Sequence, residues 1–328
     1  MSGALVSRGV PVFALIVAGV NAQVSDWNDK YNAGMTALRL GHYSEGLMLL
    51  RGAYEAGKSI DEARTITTIG LASAFLEMGR NEEAEQFFSE SRTILEAAGG
   101  PADQLAVVWN GLSETFLNRL RVDEGEKAIR QAVAVLDSAG NKGPVYDLCQ
   151  RRLAEIRLLR KDYAGSRELL TPLIGKLRKS LAENRALLGS ALSVYGRALL
   201  MLKRYGEAVN AIQESAELQR QMGADRPAYG DSLVLLSSAY RIMGHPERSQ
   251  PLARKALKIY ENAGDPRAAF ALREIGLIAA VNGKPLTAQD YISQALAIAH
   301  KVSMPAMVTE TFEQDLAGVP VMASNRHK

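Results

Sequence analysis

Cys149 is the sole cysteine of this chain and the strongest nucleophile its sequence offers. A thiol attacks as the thiolate and needs a base and an orienting group beside it. No histidine is near it in "YDLCQRRL", so the expected role is a packed thiol. The four histidines are His42, His245, His300 and His327. None falls in an HExxH or paired-CxxC pattern, the spacings that converge imidazoles and thiolates on zinc. No GxxxxGK[ST] or GxGxxG loop follows a strand pattern, so nothing is shaped to cradle phosphate. Carboxylates are plentiful, as in "NEEAEQF" and "DEGEK", but they cluster where helices should begin. There they offset the positive end of the helix dipole. The expectation is therefore no catalytic residue, no metal and no cofactor. The enzymatic alternative is a hydrolase built on Cys149 or on paired carboxylates.

The bulk composition agrees with a binding or structural role. The 328 residues are 47% hydrophobic and 23% charged, an ordinary globular balance. Lys and Arg number 39 against 36 Asp and Glu, a net charge of +3 with no concentrated basic stripe. That speaks against a nucleic-acid partner. Proline is scarce while Ala, Leu, Glu and Arg abound, which favours helix throughout.

The chain's start has the three-part layout of a secretory signal. Arg8 supplies the positive charge, "VPVFALIVAGV" (Val10–Val20) the apolar run, and "VNA" (Val20–Ala22) the small residues before a cleavage point. The run is too short to span a bilayer as a helix. Residues 1–22 are expected to be such a signal, making the protein periplasmic or extracellular. The competing reading is an extra apolar helix packed on the fold, which would leave the chain in the cytoplasm.

The elements that must hold any functional residue repeat. "ALRLGHYSEGLMLL", "FLEMGRNEEAEQFF", "FLNRLRVDEGEKAI", "RLLRKDYAGSRELL", "LLMLKRYGEAVNAI", "YRIMGHPERSQPLA" and "AAVNGKPLTAQDYI" are versions of one phrase. Its turn residue is Gly41, Gly79, Leu120, Lys161, Lys203, Gly244 or Gly283, at spacings of 38, 41, 41, 42, 41 and 39. Seven residues before each turn residue, and five after it, stand only Gly, Ala or Ser, from Gly34 and Gly46 to Gly276 and Ala288. Eight before and nine after are apolar residues such as Leu71 and Phe88. Small residues let two helices cross closely, and the large ones fill the seam. Gly99, Gly140, Gly223 and Gly264 recur 20 residues after a turn residue, where glycine can end a second helix. In the fourth unit that place holds Leu181, which predicts a longer second helix or a frayed end.

This pattern resembles the tetratricopeptide repeat. The third unit carries it best, with Trp109, Leu112, Ser113, Phe116, Gly125, Ile129 and Ala132. The units are longer than the usual ~34 residues and are similar to the extended repeats of kinesin light chains and related bacterial arrays. The fourth unit departs most, with Arg157 where the second aromatic belongs. The resemblance implies an all-α, right-handed superhelical solenoid of about seven helix-turn-helix repeats over residues 23–304. A capping helix over 305–318 and a flexible tail over 319–328 follow.

In that family the first helices line a concave groove that takes an extended peptide or a partner's helix. Counted along each first helix, the inward positions include Asn110, Glu114, Asn118, Arg151, Glu155, Arg197, Arg241 and Arg273. Arginines there would suit a protein or peptide partner with acidic groups, and Asn110 and Asn118 a peptide backbone. Leu38, Leu76, Leu117, Leu158 and Leu200 form a second recurring stripe, expected to pack between neighbours. The function so implied is a non-catalytic interaction or scaffolding module. An assembly subunit that self-associates as a homo-oligomer is the alternative.

Overall fold

A computed structural model describes residues 22–40 and 42–319. All but the last residue of the expected signal, the turn residue Gly41 and all but the first residue of the expected tail lie outside them. Fifteen α-helices and no strand are present among the described residues. Two compact units divide the chain after Arg160.

The first unit holds α1 (Ala22–Arg39), α2 (Tyr43–Gly57), α3 (Asp61–Glu77), α4 (Asn81–Ala98), α5 (Ala102–Asn118), α6 (Val122–Ser138) and α7 (Pro144–Leu159). α1 pairs with α2, α3 with α4 and α5 with α6, and each helix also packs on the next in sequence. The second unit holds α8 (Tyr163–Lys179), α9 (Leu181–Met201), α10 (Tyr205–Met222), α11 (Pro227–Ile242), α12 (Pro246–Asn262), α13 (Ala268–Val281), α14 (Pro285–Lys301) and α15 (Ala306–Gly318). α8 lies on α9, and α9/α10, α11/α12 and α13/α14 form hairpins. α15 then covers the last hairpin, where Phe312 packs edge-on to Phe270. Consecutive helix pairs stacked in this way are the solenoid the repeat predicts.

Local chemistry sets the helix ends. Pro144, Pro227, Pro246 and Pro285 open their helices, where a missing N–H costs nothing. Asp61, Glu62, Glu82, Glu83, Asp123 and Glu124 occupy first turns. All six described turn residues adopt positive φ: Gly79, Gly244 and Gly283, but also Leu120 (58°), Lys161 (64°) and Lys203 (60°). The left-handed residue lets the next N–H reach back to a carbonyl that the helix leaves unpaired, as Arg204 does to Leu199 at 2.9 Å.

The fourth unit's second helix differs from expectation. α8 stops at Lys179, and Ser180 both closes it and precedes α9. With no Gly or Pro between Ser180 and Arg185, the following first helix starts at once and reaches 21 residues. The extra length therefore belongs to the first helix of the next repeat, not to α8.

The small-residue pairs sit at the hairpin seams. A Cβ on Gly276 would lie 2.6 Å from Ile292, so α13 and α14 approach at a distance no larger residue allows. Ser113 donates to the Gly125 carbonyl at 2.7 Å across the α5/α6 seam. Leu50, Phe88, Ile129, Leu170, Ile212, Ala253 and Ile292 are buried, and so is every leucine of the second stripe.

Candidate functional site

On α5, Asn110, Glu114 and Asn118 fall four residues apart and so share one stripe. On α7, Arg151 and Glu155 do the same. The first unit brings these stripes together. Arg152 donates to Glu114, and its other amino group donates to Glu155 at 2.9 Å. Arg151 donates to the same Glu155 oxygen at 3.1 Å. The result is a buried group of two guanidiniums and two carboxylates with no net formal charge. Burial and the neighbouring like charge of Arg152 pull the Arg151 pKa down. Burial also pulls on Arg152, but Glu114 and Glu155 outweigh it and raise that group.

Asn110 is fully buried one turn from Glu114, and neither of its amide atoms has a hydrogen-bond partner. The Nε atoms of Arg151 and Arg152 share that condition. Each such group costs about 1–3 kcal/mol when left dry. Asn118 is half-buried and donates to Asn81 at 3.1 Å.

In the second unit, Arg197 is half-buried on α9. Arg241 on α11 makes a two-point contact with Glu274 of α13, at 2.8 and 3.2 Å. Burial raises the Glu274 pKa despite that partner. Arg273 on α13 donates to Asp315 of α15 at 2.5 Å and lies over the Phe312 ring.

The sequence placed all eight residues on an open inward face that would offer cations to a partner. The structure places Asn110, Glu114, Arg151 and Glu155 in the interior. It also gives Arg151, Arg241 and Arg273 carboxylates from their own chain. The physical reason is that neighbouring first helices approach closely enough to pair Glu114 with Arg152 and Arg241 with Glu274, while Glu155 meets Arg151 one turn away on α7 and Asp315 of α15 meets Arg273. Arg152, Glu274 and Asp315, which complete these pairs, were not anticipated. Their signal was present: Glu114 and Arg152 are one repeat apart less about one helical turn, and the oppositely charged Arg241 and Glu274 one repeat apart less about two.

Apolar side chains also remain accessible in the second unit. Met201, Ile242 and Val281 end three successive first helices at 55%, 47% and 57% exposure. In the first unit, Leu40 and Met48 are exposed, and Leu40 lines a shallow depression of about 390 Å³ with Asn32, Ala33, Thr36 and Leu49.

The residues considered for chemistry are otherwise engaged. Cys149 is buried among Leu136, Ile156 and Ala132, and burial pushes its thiol up to about 12. His42, His245 and His300 each lie within 4.0 Å of a carboxylate near them, Glu45, Glu247 and Glu313. No group of three His, Cys, Asp or Glu suited to a metal occurs among the described residues. Among those residues, no helix is long and apolar enough to cross a membrane.

Comparison with known proteins places this architecture. The tetratricopeptide-repeat family model matches residues 187–262. No curated protein sequence matches the chain. Among solved structures, the apo form of RapI is 9% identical, with a TM-score of 0.65, covering 84% of this chain and 98% of that one. The apo quorum sensor NprR from B. thuringiensis is 11% identical, with a TM-score of 0.60, covering 92% of this chain and 88% of that one. A tetratricopeptide repeat protein from Parabacteroides merdae is 12% identical, with a TM-score of 0.54, covering 89% and 98%. At these identities the likeness is one of fold.

Proposed function

We propose that this chain, a tetratricopeptide-repeat protein by its hairpin architecture and by the match at residues 187–262, is a non-catalytic scaffold that holds a protein or peptide partner along its first helices. The observation that carries the reading is the register of those helices. Arg241 with Glu274, and Glu114 with Arg152, tie successive first helices side by side. A surface pinned in this way is already ordered before a partner arrives, so less entropy is lost on binding. The buried, high-pKa thiol of Cys149 supports the non-catalytic part.

The test is capture of a partner from extract of the native source, followed by titration against variants. Arg197→Ala is expected to weaken binding at least tenfold while leaving the helical signal intact. Unchanged affinity would contradict the assignment. The further proposal that the protein works outside the cytoplasm rests on the pattern of residues 1–22. Amino-terminal sequencing of native protein is expected to begin just after Ala22, and a start at Met1 or Ser2 would contradict it.

A further inference from the structure

Met201, Ile242 and Val281 stand at one position of three successive first helices, two residues before the turn residues Lys203, Gly244 and Gly283. All three are about half exposed. At the same position α3 and α5 carry Glu77 and Asn118. α9, α11 and α13 touch in sequence, and packed helix axes lie about 8–10 Å apart. Side chains at one position of helices packed side by side are expected to repeat at about 8–10 Å. Aligned exposed apolar side chains of this kind mark an interaction surface.

Charge lies along the same edge. Lys203 and Lys284 are exposed and form no ion pair among the described residues. Glu207, the acid nearest Lys203 in sequence, is paired with Arg204, and Asp290, nearest Lys284, accepts from Gln294 at 3.0 Å. The edge offers apolar contacts and unspent positive charge.

We propose that this row reads a partner segment in polyproline II conformation, with an aliphatic residue at every third position and carboxylates between. A polyproline II helix has three residues per turn and rises about 3.1 Å per residue. Every third side chain thus returns to one face after about 9.3 Å, which matches the interval between first helices. A β-strand turns its third side chain to the opposite face. The carboxylates meet Lys203 and Lys284. The inference rests on the scaffold reading and gives its partner a chemistry.

The probe is a labelled peptide of three Leu-Pro-Glu triplets, titrated into the full chain by fluorescence anisotropy at fixed ionic strength. Binding is expected to be at least tenfold tighter than for the Leu-Pro-Lys counterpart, or for an isomer with its leucines clustered. Ile242→Asp and Val281→Asp should each cost at least tenfold, and Met48→Asp, exposed in the first unit, should cost nothing. Lys203→Glu with Lys284→Glu should reverse the preference toward the lysine peptide. Equal affinity for the acidic, basic and clustered peptides overturns the proposal and leaves the scaffold reading standing. So does binding indifferent to Ile242→Asp and Val281→Asp. Failure of the whole peptide panel overturns the proposal. If phosphatidylglycerol-containing vesicles then bind through the same residues, the row is a membrane face instead. If a natural partner also cannot be captured, the scaffold reading falls with it.

Discussion

Arg152 of α7 and Glu114 of α5 form an ion pair whose side chains are only 3% and 6% exposed. They lie 38 residues apart in sequence, on first helices of adjacent repeats. The pair is a lock between repeats, and Glu155 and Arg151 extend it.

Breaking that lock from one side strands buried charge. Arg152→Met takes the paired cation from buried Glu114 and leaves Glu155 with Arg151, and is expected to cost about 3–5 kcal/mol. Glu114→Leu combined with Arg152→Met should cost clearly less than the two single losses added. Urea unfolding of the four-member cycle checks this. Additive losses would show that the two side chains are not coupled.

Three repeats hold a non-glycine residue in the left-handed turn. For L-residues that conformation costs roughly 1–2 kcal/mol. Glycine relieves it but loses more backbone entropy on folding. Lys203→Gly is therefore expected to raise the urea midpoint by the equivalent of up to about 1 kcal/mol. Gly244→Ala should lower it by about 1 kcal/mol. A Cβ at Gly244 meets nothing within 4 Å, so that loss would come from backbone conformation alone. A stabilising Gly244→Ala would contradict the account.

Asp265 predicts a pH dependence. Burial pushes its carboxyl up, but hydrogen bonds and charge from Arg267 outweigh this and hold it below its usual 3.8. A folded-state pKa lowered in this way stabilises the fold above the unfolded value. That stability is lost as pH falls through the folded value. Asp265→Asn should cost about 1–2 kcal/mol at neutral pH and progressively less below pH ~4. A cost that stays constant between pH 7 and pH 2.5 would contradict the assignment.

Cys149 should resist thiol reagents in the native chain and react fully in denaturant, because both burial and a raised pKa suppress the thiolate. Rapid native labelling would place the thiol in an accessible site.

Much of the fold was legible because its signals are local and repeat. The spacing of Gly79, Leu120, Lys161, Lys203, Gly244 and Gly283 located the hairpin turns, and each is left-handed. The small residues at Gly276 and Ala288 located a seam. The candidate site was less legible. Helical counting put Arg151 and Arg241 on the right stripe, but it carries no information on how near the next first helix lies. That distance decides whether the Arg241 guanidinium meets solvent or Glu274, and whether Glu114 meets solvent or Arg152. The early start of α9 depends likewise on what Ser180–Arg185 lacks.

Hydrogen–deuterium exchange of the full chain, with and without a captured partner, tests the scaffold most directly. The account predicts slowed exchange on the first helices α9, α11 and α13, strongest toward Met201, Ile242 and Val281, with α10, α12 and α14 unchanged. Protection confined to those second helices would contradict it.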